Sequence, residues 1–334
     1  MSATPQLIQL PKTAQDLKSR PSSVVFSLKL AIYFIALAHG IFFTFSAFLL
    51  IKIVGVVLIG VMFAHGVELQ HQALHYNGFK SKKWNVLFGV IVGIPMLVSF
   101  SGYQDSHLKH HRLLGTSENK EFFDYGDQYG FNSFHGIWSW FLRLFMLKHY
   151  GNFFKIAIQT VWGLLIRKDN EGVAKAICRE HLWMLAFIVA LSVVSIALHT
   201  WIIAWVWLAP LVLVAAPAHA LIEMPEHYRC DLTSTNPLLN TRTIVSNAFM
   251  TWLTNGNNYH VEHHMMPGLS IDRLQDLHAS IEPAIRYHHQ TYREFYWAVL
   301  RNRLAPRIVD VRDADVPHAE ASIEGAPLAP EHTA

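Results

Sequence analysis

The chain has 334 residues, of which 52% are hydrophobic and 15% charged, whereas ordinary soluble domains carry about 25% charged residues. That balance excludes disorder over most of the length and argues against a water-soluble enzyme. A net charge of +3 is too small and too dispersed for a nucleic-acid partner. The only cysteines, Cys178 and Cys230, exclude a disulfide scaffold, Cys-ligated zinc and thiolate iron–sulfur clusters.

In chain order, residues 1–25 are polar and read as a cytoplasmic N-terminal segment. No cleaved signal is expected, because the apolar run that follows is too long for a signal-peptide core. From Val25 to Val67 the chain is nearly uncharged, enough for two crossings at about 20 residues each. The passes are expected near 26–48 and 51–72, with a tight turn near Lys52. Trp84–Phe100 is apolar but short for a crossing, and is expected to be re-entrant or interfacial. Between His135 and Lys168, aromatic residues interleave with Arg143, Lys148, Lys155 and Arg167, the pattern of helices lying in the headgroup layer. Leu182–Ile222 contains no charged residue and supplies passes near 182–199 and 202–222, turning at His199 and Thr200. Past Arg303 the composition shifts to Ala, Pro, Asp and Glu, so 304–334 reads as a disordered tail and 26–303 as one membrane domain.

Basic residues set the orientation. Lys12, Lys18, Arg20 and Lys29 precede the first pass, and Lys80, Lys82 and Lys83 follow the second. Arg167, Lys168, Lys175 and Arg179 precede the third, and Arg229 follows the fourth. The positive-inside rule then puts both termini, and everything between the two hairpins, on the cytoplasmic side. The expected fold is an all-α integral membrane protein: two transmembrane helical hairpins, four passes, and a cytoplasmic-side cap.

Histidine is over-represented, at 21 residues, and it is clustered. "HQALH" places His71 and His75 at i and i+4. "HLKHH" places His107, His110 and His111 at i, i+3 and i+4, and "HVEHH" repeats that spacing with His260, His263 and His264. On a helix each cluster falls on one face. Eight imidazoles packed together without a cation would lack partners and be costly to bury. They are too many for one tetrahedral zinc and fit two metals of five or six coordination. Imidazole alone does not choose among Zn, Cu, Fe and Ni. If Trp84–Phe100 crossed the membrane, the first two clusters would face opposite compartments, so a path that stays on one side is required.

His227, just past the fourth pass, is the expected ninth ligand. Glu68, Asp105, Glu226, Asn258 and Glu262 adjoin the clusters and are candidates to orient the ligands, since a metal-bound imidazole usually donates its other N–H to an acceptor. His219 reads as a packing or tunnel residue, and His65, His39 and His199 as structural. His278, His288 and His289 are expected at the surface.

The order H-x3-H, H-x2-H-H, H-x2-H-H, with "HLKHHRLLGT" (His107–Thr116) and "NYHVEHHMMP" (Asn258–Pro267), resembles the membrane fatty acid desaturase superfamily, which includes related hydroxylases and carotenoid ketolases. The resemblance extends from about Phe63 to Asp276. It implies a non-haem centre of two iron ions held by the eight box histidines and His227, with O₂ as co-substrate. The implied reaction removes two hydrogens from an unactivated acyl chain to give a cis double bond and water. Oxygen insertion on the same scaffold, or desaturation of a small amphiphilic secondary metabolite, are the alternatives. No b-type cytochrome domain or "HPGG"-like segment is visible, and the third box begins with His260 where front-end desaturases carry Gln. A separate electron donor, ferredoxin or a b-type cytochrome with its reductase, is therefore expected. Two other classes fit less well: haem ligands should be single residues within spans, and transporters place acidic groups near the midplane.

Overall fold

The computed structural model describes residues 21–120, 122–124, 134–164 and 170–307. The expectations for residues 1–20, for Arg167 and Lys168, and for 308–334 lie outside them. The described chain is mostly helical. In order it forms α1 (Ser23–Thr44), α2 (Leu49–Leu74), α3 (Lys82–Gly93) and α4 (Phe100–Leu113). Then come α5 (Phe134–Leu144), α6 (Leu147–Val161), α7 (Glu171–Ala197) and α8 (Ala204–Glu223). A smaller C-terminal part follows: β1 (Arg242–Ile244), α9 (Ala248–Leu253), α10 (His260–Met265), α11 (Leu274–Ile281), β2 (Tyr287–His289) and α12 (Tyr292–Leu300).

Four helices, α1, α2, α7 and α8, are long and apolar enough to cross a membrane. Helix α2 is their axis, and two glycines let its neighbours approach. A Cβ on Gly55 would lie 2.7 Å from the Gly40 carbonyl oxygen of α1, and one on Gly60 would lie 2.4 Å from Val214 Cβ of α8. The wall of α8 against Gly60 is wound as a π-helix over Ala204–Leu208 and Pro210–Ala215. Pro210 and Pro217 remove backbone donors there, and a wider turn accommodates the loss.

The turn between α1 and α2 falls at Phe45–Phe48, where Ser46 Oγ accepts from the Phe48 amide at 3.1 Å, rather than near Lys52. Lys52 lies in the first turn of α2 with its ammonium 5.0 Å from the Trp205 ring. Helix α7 begins at Glu171, well before the expected 182. Its first turns expose Glu171, Lys175 and Arg179, while Glu180 and His181 are buried. Lys29 is not simply a flanking charge either. It hydrogen-bonds Gln72 and Asn255 and pairs with Asp272 at 2.5 Å, tying α1 to the C-terminal part.

The short apolar segment Trp84–Phe100 is broken. The axis of Lys82–Met96 meets that of Phe100–Leu113 at 99°, with Leu97 at φ +57°. Such a break strands backbone carbonyls in an apolar layer, and side chains from other helices meet them. Gln70 donates to the Gly89 and Val98 carbonyls at 3.0 and 3.1 Å, and Trp207 to that of Pro95 at 2.9 Å. The new helix α4 then starts on Glu180, whose carboxylate accepts from Ser99 Oγ, the Ser101 amide and Ser101 Oγ at 2.6–3.0 Å. A carboxylate at a helix N-terminus is favourable both as a cap and against the helix dipole.

Helices α5 and α6 bury one face, including Trp140, Phe153 and Ala157, yet leave Ile137, Trp138, Phe154, Ile158 and Trp162 exposed. Apolar exposure on that scale marks a surface covered by something other than water. The strands β1 and β2 pair in parallel, Arg242 with Tyr287 and Ile244 with His289. They clamp the segment before α10 to the C-terminal part.

Candidate metal centre

Four elements aim their histidines at one region. The end of α2 carries His71, with His75 at its C-cap, and α4 carries His107, His110 and His111. The turn after α8 carries His227, and α10 carries His260, His263 and His264. The structure brings all nine together in two adjoining groups.

In the first group His107 Nε2 is the hub, 2.9 Å from His71 Nε2, 3.0 Å from His75 Nε2 and 2.9 Å from His111 Nε2. His111 Nε2 is also 3.0 Å from His263 Nε2. In the second group His264 Nε2 lies 3.2 Å from His110 Nε2 and 3.1 Å from His260 Nε2, and His260 Nε2 lies 3.3 Å from His227 Nε2. The groups meet where the His111 and His264 rings approach to 4.2 Å between centroids.

These contacts are not a hydrogen-bond network. A neutral imidazole nitrogen is either a donor or an acceptor, so His107 Nε2 cannot satisfy three like neighbours. Nitrogens bound to one cation at about 2.1 Å and right angles would stand about 3.0 Å apart, the spacing observed. The donor set therefore fits two metal ions. Burial, reinforced by neighbouring imidazoles, holds His260, His263 and His264 well below the ordinary histidine range, and burial takes His75 down to about 3. All four are neutral, the form that offers a lone pair.

The second group is oriented by bonds through the other ring nitrogen. Nδ1 of His227 meets the Asn240 carbonyl, that of His260 meets Asn257 Oδ1, and that of His110 meets Asn119 Oδ1, each at 3.1 Å. Donation through Nδ1 leaves the Nε2 lone pair facing inward. Glu226 reaches further than the sequence indicates. Its Oε2 is 3.2 Å from His260 Nε2, at ligand reach, while Asn257 Nδ2 donates to its Oε1 at 3.0 Å. The turn bearing Glu226 and His227 is clasped by buried Arg242, which donates to the Pro225 and Tyr228 carbonyls at 2.9 and 2.5 Å.

The remaining expected orienting residues do other work. Asn258 donates to the Ile244 and Val245 carbonyls at 2.9 and 2.8 Å and so holds the end of β1; its neighbour Asn257, which the sequence reading missed, orients His260. The signal available was position, since Asn257 lies one helical turn ahead of His260. Glu262 accepts from Thr243 Oγ1 at 2.6 Å and from His278 Nδ1 at 2.5 Å, anchoring α10 to β1 and α11. His278, His288 and His289 are thus not surface groups: His278 stacks on His288, and both β2 histidines are buried. Asp105 pairs with Lys109 at 3.1 Å along α4. Glu68 is fully buried, beside His219 and Glu223. His65 stacks on Trp252 and bonds the Leu253 carbonyl at 3.0 Å, outside both groups.

A cavity of about 470 Å³ opens onto the centre, within the range of small-molecule pockets. Val67, Leu97, Met146, Phe153, Ile156 and Ile177 wall it, and His107, His110, His227 and His260 border it. A search among curated proteins returned no match. The family model described as fatty acid desaturase matches residues 47–296, a stretch that includes all nine histidines and both ends of the cavity wall. The chain belongs to the fatty acid desaturase family.

Proposed function

We propose that this protein is a membrane-bound, O₂-dependent di-iron desaturase that introduces a C=C double bond into a fatty acyl chain carried by a lipid, coenzyme A or a carrier protein. The observation that carries the reading is the pair of adjoining histidine groups bordering a cavity with apolar walls. His71, His75, His107, His111 and His263 would hold one iron. His110, His227, His260 and His264, with Glu226, would hold the other. When bound, the metals would activate O₂, the oxidant that an unactivated C–H bond demands.

The protein's part is orientation and exclusion. The Nδ1 bonds to Asn119, Asn240 and Asn257 fix three imidazoles. The walls formed by Val67, Leu97, Met146 and Phe153 align a methylene chain and keep water from the reacting carbon. Glu226 offsets part of the charge that neutral imidazoles leave on a cation.

The two-hairpin arrangement, with a cap bearing the histidines on the cytoplasmic side, is supported by Lys80, Lys82, Lys83, Lys175, Arg179 and Arg229 flanking the spans. Electrons would come from a ferredoxin or a b-type cytochrome with its reductase. A second reading, a small amphiphile as substrate, is favoured by Asn152, His149 and His181 among the apolar residues of the cavity wall.

Expression in a host of defined lipid composition, followed by mass analysis of new products, tests the proposal. Loss of two hydrogens from an acyl chain, absent with His107→Ala, is expected. Gain of one oxygen would move the reading to a hydroxylase or ketolase, and metal-independent turnover would end it.

A further inference from the structure

The helices that present the histidines carry a second constellation of different chemistry. Glu68 lies on α2 about one turn before His71. Glu223 ends α8 about one turn before His227, and His219 is one turn earlier still. One ligand atom from each of Glu68, His219 and Glu223 falls within 4.8 Å of the others. His219 Nδ1 is 3.7 Å from Glu68 Oε1, and its Nε2 is 3.4 Å from Glu223 Oε1.

Glu68 is 1% exposed and His219 3%. Neither carboxylate oxygen of Glu68 has a hydrogen-bond partner, nor does His219 Nδ1. Among the described residues no Lys or Arg pairs with Glu68 or Glu223. Glu223 has the Tyr103 hydroxyl beside it, but a carboxylate buried without a partner, as Glu68 is, is costly unless it takes up a proton or a cation compensates it.

We propose that Glu68, His219 and Glu223 form a third site, separate from the nine histidines, for a single divalent metal cation. Two carboxylates neutralise a divalent charge outright, which suits a buried position where an imidazole-only site leaves the charge uncompensated. One imidazole beside two carboxylate oxygens is a harder ligand set than either histidine group and shifts preference toward Mn²⁺, Fe²⁺ or Zn²⁺ over copper. His219 and Glu223 also line the cavity, which gives the ion a route in and room for water to complete its coordination.

The site stands or falls independently of the iron assignment, and zinc counting separates the two. The full chain in detergent is stripped with a chelator, reloaded with Zn²⁺ alone and desalted, and bound zinc is measured by mass spectrometry. Zinc occupies imidazole and carboxylate sites alike and brings no redox chemistry. Wild type is expected to hold three equivalents, and Glu68→Gln/Glu223→Gln one fewer. His260→Ala/His264→Ala is expected to lose zinc while keeping the equivalent that depends on the two glutamates. Equal zinc in wild type and the double Gln variant would overturn the third site and leave the histidine centre standing. Saturation of wild type at two equivalents would overturn it without recourse to any variant.

Discussion

The two histidine groups use the same side chain and hold it in different ways. In the first, His71, His75, His107, His111 and His263 are set by the packing of α2, α4 and α10, and His71 Nδ1 is buried without a partner. In the second, His110, His227 and His260 are each fixed through Nδ1, and Glu226 adds a carboxylate at 3.2 Å from His260. Among the described residues the first site is positioned by helix geometry, while the second is positioned by hydrogen bonds and has a carboxylate at ligand reach. Hydrogen bonds can be removed one at a time, and helix packing cannot. The second group is where selective perturbation is possible.

The largest effect belongs to the hub of the first group. His107→Ala removes the nitrogen that faces three others, and is expected to abolish turnover and release at least one iron per chain, read by product analysis and elemental iron. Glu226→Gln keeps the shape but removes the charge. It should weaken metal retention about 10–100-fold, the range for groups that tune a metal site, with the loss confined to one of the two histidine-held metals in a chelator-competition titration. Equal loss of both would erase the distinction between the groups.

Asn257→Ala and Asn258→Ala form a sharper pair. Asn257→Ala frees His260 and Glu226 together and should lower metal affinity about tenfold with little change in melting temperature. Asn258→Ala strands the Ile244 and Val245 carbonyls. It should cost about 1–3 kcal/mol of stability and spare metal affinity; the reverse pattern would show the two roles to be exchanged.

The smallest effect is the share of the pH dependence that lies outside both groups. Burial, aided by Arg307, lowers His288 from 6.5 to about 4, and burial, aided by Arg242, lowers His289 to about 3. Below pH 6.5 the unfolded chain takes up protons that the folded chain refuses, so stability present above that value is lost as pH falls toward 4. In metal-free protein the buried site histidines add to the same loss, so the melting temperature should fall from pH 7 to pH 5 and His288→Asn should remove only its own share of the gap.

The four spans and the three histidine clusters were legible in the sequence because each is a local property. An apolar run of membrane length and an i, i+3, i+4 spacing need no knowledge of distant residues. His227 was legible too, from its place just past the fourth span. The choice of Asn258 over Asn257, in the turn before α10, and of a surface for His278 on α11 and His288 on β2, failed because neighbouring residues in such short segments point in different directions. Which of them meets an imidazole or Glu262 depends on where β1 and α11 pack.

The sequence by itself determined that imidazoles would stand on common faces at the ends of apolar helices. Only the tertiary structure decided how they gather into two groups with His111 between them, and that Glu226 stands beside His260 of the second. Periodicity orients a side chain about its own helix axis, but it says nothing of which faces meet. That division is set by contacts between residues as far apart as His111 and His263, brought together by a 99° break whose stranded carbonyls are met by Gln70 and Trp207 and whose onward helix is capped by Glu180.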